Sequence, residues 1–222
     1  NDVTLNSVSN DGNKPVITAD GQNYTFDAVL YATGRKPNTA NIGLENTDIT
    51  TNERGAIVVN DTCESSVPGV YAVGDVNGGP QFTYISLDDF RIVFGALTGN
   101  GQYTLKDRKN IPYTTFLTPP LARVGLTEED AINKGYTVKT KEMLVATMPR
   151  AHVNDYLKGA FKIVVDAETN LILGATLYSQ SAEELINLIK MAMDNNIPYT
   201  YFKNQIFTHP TMAENLNDLC NF

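Results

Sequence analysis

Residues 100–112, NGQYTLKDRKNIP, are polar, begin beside a glycine and close on a proline, and the patterns on either side differ. With few apolar side chains to bury, the stretch reads as a link between separately packed parts. Upstream, VTLNSV, PVITA and NYTFDAVLYAT are rich in Val, Ile, Thr and Tyr, and the breaks between them, SNDGNK and DGQ, have tight-turn chemistry. They predict a hairpin meander. Its last run, DAVLYATG, is apolar enough to be a buried parallel strand ending at a ligand crevice. GAIVVND and GVYAVGDV read as two further short strands. FTYISLDDFRIVFGALTG predicts a helix capped by Thr83, with apolar positions at Ile85, Leu87, Ile92, Val93 and Leu97 and a stop at Gly99.

Downstream the grammar changes. TTFLT and ARVGL predict strands, and TEEDAINKG a short helix capped by Thr127 and stopped by Gly135. TVKTKEML, AFKIVVDAET and LILGATLYS predict three more strands, the last two joined by a turn at ETN. SAEELINLIKMAMDNN is amphipathic, with Leu185, Leu188, Ile189, Ala192 and Met193 on one face. TMAENLNDL predicts a final helix.

A chain of 222 residues with a formal charge of −8 can bury a proper core. That charge argues against a nucleic-acid or anionic-membrane partner. No run approaches the ~18 apolar residues of a membrane span, and the first residues have no signal-peptide pattern. Cys63 and Cys220 stand apart, which excludes a disulfide scaffold or a paired-cysteine metal knuckle. Free thiols in an acidic chain suggest a reducing cytoplasm. No metal site is expected.

Three stretches carry candidate chemistry. YAVGDV delivers Asp75 behind Gly74, where a carboxylate suits a sugar or polyol hydroxyl, and the helix near Thr83 aims its positive end at a ligand. The alternative is an Asx turn with no ligand. ATGRKPN is a similar strand, glycine and loop, in which Arg35 reads more as a surface or interdomain salt-bridge residue than as a ligand. THPTMAE holds His209 and Glu214 across Pro210, which suits a cis peptide or a helix start. Glu214 either orients the imidazole for acid/base work or completes a capping box from Thr211. His152 has no orienting carboxylate nearby and reads as a surface residue.

Taken in order, YATGRKPN, SSVPGVYAVGDVNGG, TPPLARVGLTEEDA and THPTMAE resemble the C-terminal part of the class I pyridine nucleotide-disulfide oxidoreductases, which include glutathione reductase, dihydrolipoamide dehydrogenase and mercuric reductase. The resemblance spans essentially the whole chain. GGPQFTYISLDDFRIV is most similar to the branch tied to reactive-chlorine resistance and hypothiocyanous acid reduction.

The resemblance implies α/β and α+β architecture: a partial FAD/NAD(P)-binding Rossmann-like domain followed by an α+β dimerisation domain. Residues 1–38 would be the tail of the NAD(P)-binding domain, 39–110 the returning FAD segment and 111–222 the interface domain. The chain would be a fragment, with the GxGxxG fingerprints and the redox CxxxxC lying upstream. The cofactors implied are FAD and NAD(P)H; the partners are a second copy, through 111–222, and a small oxidised substrate. Asp75 would bind the ribityl chain, with Gly74 allowing close approach, and Phe82 and Thr83 would present backbone near the flavin. Gly34 would lie beside NAD(P). His209 would be the acid/base, oriented by Glu214 and acting on the partner subunit's disulfide. Arg91 falls at a substrate-side position, but Phe90 replaces the usual preceding glycine, which argues against glutathione. A lone Cys220 in place of a vicinal pair argues against mercury. The alternative is an isolated dimerisation module; on either reading this stretch alone is expected to be inactive.

Overall fold

The computed structural model describes residues 3–222 and divides between Gln102 and Tyr103 into two compact units. In the first, β1 (Leu5–Asn10), β2 (Pro15–Ala19) and β3 (Gln22–Thr25) form an antiparallel meander in that order. Only Ala19 among these strand residues is buried. The buried parallel strand expected over 27–34 is not formed: pairing stops at Thr25, and Leu30 and Tyr31 are 89% and 66% exposed. GAIVVND and GVYAVGDV likewise contribute only single bridges, Thr51 to Ile57 and Glu64 to Tyr71. A strand is completed by its neighbour's hydrogen bonds, and these runs have no adjacent strand among the described residues.

Helix α1 (Thr83–Thr98) follows. Its cap is Phe82, in extended backbone, and not Thr83, which already has helical geometry and caps nothing. Gly99 ends it in the left-handed conformation, its N–H reaching Gly95 O. The helix buries Ile85, Asp89 and Ile92, whereas Leu87, Phe90, Phe94 and Leu97 are more than half exposed.

The second unit is a five-stranded antiparallel sheet ordered β4-β5-β8-β7-β6: β4 (Tyr113–Thr115), β5 (Leu121–Gly125), β6 (Val138–Leu144), β7 (Ala160–Asp166) and β8 (Ile172–Tyr178). Period-2 alternation puts Ala122 and Val124, and Phe161, Ile163 and Val165, on one buried face. Helix α4 (Ala182–Asp194) packs on β5 and β8 through Ala182, Leu185, Ile186, Ile189 and Ala192. Helix α2 (Glu128–Asn133) starts as expected: Thr127 Oγ1 accepts from the Asp130 N–H, and Asp130 returns the bond to Thr127.

Two short helices were not foreseen, α3 (Pro149–Val153) and α5 (Tyr199–Asn204). Each is little more than a turn behind a proline, too short for periodicity to register. The last helix, α6 (Asn215–Leu219), is shorter than the expected 211–219. It packs Leu216 and Leu219 into the core, and Lys141 Nζ donates to the Asp218 and Asn221 carbonyls at its end.

Candidate functional site

His209 sits between α5 and α6, behind a cis His209–Pro210 peptide. Its Nδ1 lies 2.7 Å from Glu214 Oε2. The other carboxylate oxygen, Oε1, accepts from the Thr211 N–H at 3.0 Å, and the Glu214 N–H donates to Thr211 Oγ1 at 3.2 Å. The imidazole contact and the reciprocal Thr211–Glu214 bonds are thus present together, one on each oxygen, but α6 begins only after Glu214, so Thr211 closes the turn before the helix and does not cap it. Asn217 Nδ2 donates to the Phe202 and Gln205 carbonyls and ties α6 to the end of α5, while buried Met212 and Leu216 anchor the turn.

The carboxylate beside Nδ1 selects the tautomer with the proton there, which leaves Nε2 as the basic nitrogen. The imidazole is 69% exposed and Glu214 only 19%. The ring is therefore held from its buried side and open on the other, as a group that exchanges protons with an incoming molecule must be.

Burial by itself raises the Glu214 pKa. The hydrogen bonds from His209 and the Thr211 N–H, with the imidazolium charge, outweigh it and hold the carboxyl below its ordinary 4.5. A depressed folded-state value means that Glu214 stabilises the fold above pH 4.5, and that the contribution is lost as pH falls through the folded value. Glu214→Gln should therefore lose less stability than wild type between pH 6 and pH 3 in denaturant titrations. Asp107, Asp130 and Asp166, also depressed, remain in both proteins and cancel in the comparison. Equal losses would remove the ionic part of the pair.

The remaining candidates lie in the first unit. Gly74–Asn77 is a 3₁₀ turn, and Gly74 has φ 72°. A Cβ there would sit 2.5 Å from Ser86 Oγ, so both the left-handed backbone and the closeness to α1 require glycine. Asp75 is paired with Arg35, Nη1 to Oδ2 at 3.0 Å, in a cleft of about 390 Å³ also lined by Lys36, Asn38 and Gln81. Gly34, φ 109°, borders open space. Phe82 stacks on Tyr84 at 5.0 Å at the start of α1, whose first amides have no acceptor within the helix. Arg91 is 67% exposed and lies 3.8 Å from Asp88.

Asp89 was missed, although the sequence carries a signal for it. It falls four residues after Ile85 and three before Ile92, an acid alone on the buried stripe of α1. It is fully buried and accepts from the Gly74 N–H at 2.7 Å and Asn77 Nδ2 at 2.9 Å.

Other groups are spoken for. Burial pushes the Cys220 thiol up to about 12, which leaves almost no thiolate at neutral pH. His152 Nε2 lies 2.8 Å from the Ala146 carbonyl. A cavity of about 720 Å³ on the sheet of the second unit is lined by none of the candidates, and its Lys162 and Glu128 are paired at 2.7 Å. Among the described residues no helix is long and apolar enough to cross a membrane.

Residues 2–89 match the family model of the pyridine nucleotide-disulphide oxidoreductases, and residues 111–220 match that family's dimerisation domain. The chain belongs to the pyridine nucleotide-disulphide oxidoreductase family, whose members use FAD and NAD(P)H. It is 46% identical over 222 residues to the probable pyridine nucleotide-disulfide oxidoreductase RclA of Escherichia coli (strain K12), covering 98% of this chain and 50% of that protein. Mercuric reductase of Staphylococcus aureus is 35% identical over 218 residues, 96% of this chain and 40% of that one. The solved structure of the HOCl-induced flavoprotein disulfide reductase RclA from Escherichia coli matches with a TM-score of 0.92 at 45% identity, over 98% of this chain and 50% of that chain. The chain thus spans about half the length of these relatives.

Proposed function

We propose that this chain is the C-terminal part of an FAD-dependent NAD(P)H:disulfide oxidoreductase, a cytoplasmic homodimer that reduces a small oxidised substrate. The observation that carries the reading is the His209–Glu214 pair, an exposed imidazole with its tautomer set by a carboxylate that the fold itself holds. On this reading residues 1–38 close the NAD(P) domain, 39–110 return to the FAD domain and 111–222 pair with a second copy.

The residues present fit an FAD. Asp75 offers a carboxylate to a polyol hydroxyl, Arg35 and Lys36 line the same cleft with positive charge suited to phosphate, and α1 begins a few residues on. Phe82 and Thr83 stand at that helix start, and Gly34 leaves open backbone beside Arg35 for the nucleotide. The cofactor supplies two-electron transfer from NAD(P)H to a redox disulfide, which Cys63 and Cys220, both buried and in different units, do not form. In this chain His209 Nε2 takes the proton from a thiol as the nucleophilic thiolate forms and returns it to the leaving thiolate of the reduced substrate. Glu214 holds the Nδ1 proton and stabilises the imidazolium between the two steps. On this reading Arg91, exposed on α1, faces the substrate side.

A second reading, a dimerisation module without activity of its own, is favoured by one observation: the main apolar cluster consists of residues 122–220 alone. The two separate on flavin. The full-length protein should purify yellow, with about one flavin per chain, and oxidise NAD(P)H when given a disulfide or hypothiocyanous acid. Asp75→Asn should lower its flavin content. A colourless wild type that leaves NAD(P)H untouched would sink the oxidoreductase reading.

A further inference from the structure

A carboxylate with no solvent exposure is costly unless its oxygens are engaged. Asp89 meets that demand at Oδ2 through the turn that carries Asp75. It accepts from the N–H of Gly74, the first residue of the turn, and from the side chain of Asn77, the last. Asn77 extends the grip: its Nδ2 also donates to the Ala72 carbonyl at 3.3 Å, and its Oδ1 accepts from the Gly79 N–H at 3.0 Å. On the same helix Ser86 lies against the bare Cα of Gly74.

Both ends of the turn are therefore fastened to α1, and the residue between them, Asp75, projects its carboxylate to Arg35. The start of α1 and the Asp75 carboxylate share one rigid reference. We propose that Asp89 is a positioning residue: it clamps the turn of residues 74–77 to α1 and so pre-sets Asp75 and the helix start for one polyol-bearing anionic cofactor. The inference rests on the functional reading above, because the flavin is what the pre-set groups would hold. Pre-organisation of this kind raises affinity by removing the cost of ordering the site on binding.

The test uses the full-length protein. Asp89→Asn keeps the shape and leaves an oxygen where Oδ2 receives both the Gly74 N–H and the Asn77 amide, but removes the charge that strengthens those bonds. Flavin should bind about tenfold more weakly, the order expected when the charge assistance to bonds at a buried carboxylate is lost. Amide hydrogen exchange at Gly74 should quicken by a similar factor. Asp89→Leu, which removes the shared acceptor altogether, should weaken flavin binding and quicken Gly74 exchange further still. Asp75→Asn should weaken flavin binding and leave Gly74 exchange unchanged. If Asp89→Asn quickens exchange while flavin affinity holds, Asp89 serves the fold alone and the proposal is overturned. Unchanged exchange overturns it as well, as does an Asp89→Leu variant that binds flavin as tightly as wild type. A wild type without flavin would defeat the functional reading instead, and the clamp would then be judged on Gly74 exchange alone.

Discussion

Replacing His209 with alanine in the full-length protein should lower kcat for disulfide or hypothiocyanous acid reduction by about 10²-fold or more, the usual contribution of a positioned acid/base. The side chain is 69% exposed and buries little, so the melting temperature should barely move. Flavin content should hold too, since the groups proposed to bind flavin lie in the first unit. Loss of turnover with intact fold and cofactor is the signature that separates proton transfer from scaffolding. Glu214→Gln should fall between wild type and His209→Ala in turnover, because the amide still accepts one hydrogen bond but no longer stabilises an imidazolium. Unchanged turnover in His209→Ala would reduce THPTMAE to a helix start and remove the residue on which the assignment leans most.

The largest stability effect is expected at Phe161. It is fully buried on β7, facing Leu177 on β8 and Met143 on β6 in the register of the sheet. Alanine there removes most of an aromatic ring from a site fixed by strands on both sides, where collapse is limited. A loss of about 3–5 kcal/mol follows, a large part of the roughly 5–15 kcal/mol that holds a domain together. Phe90→Ala on α1 is the control: 57% exposed, it should cost less than about 0.5 kcal/mol. Urea unfolding followed by circular dichroism checks both, the chain having no tryptophan to report by fluorescence. A cost below about 1 kcal/mol at Phe161 would mean that the core is not where the sheet register puts it.

The difference between these two phenylalanines also shows what could be read in advance. In the second unit, alternation along ARVGL and AFKIVVD is written for one buried face, and the structure supplies the neighbouring strands and α4 to bury it. In the first unit, DAVLYAT and GVYAV are also rich in Val and Ala, yet neither becomes a strand. Composition records how a segment behaves beside a partner strand; it does not say whether the partner is present. Leu87, Phe90, Phe94 and Leu97 make the same point on a helix, an apolar face left more than half exposed among the described residues of this unit. The short helices at 149–153 and 199–204 left no periodic trace. At the candidate site, the His209–Glu214 spacing was legible, but the way Glu214 serves both partners was not, because the sequence does not say which oxygen goes where. Asp89 is legible as an acid on an apolar stripe, a signal weaker than the glycine motifs around it.

The shared use of Glu214 has a consequence for how such a chain can change over generations. One oxygen is bound to the backbone that begins the last turn before α6, the other to the imidazole. A substitution there reaches folding and proton handling in the same step. A lineage drifting away from the histidine would still retain the glutamate for the sake of the turn. A descendant without His209 but with Thr211 and Glu214 in place would be the relic of such a loss, and the reverse pattern, a histidine without its glutamate, should be far rarer.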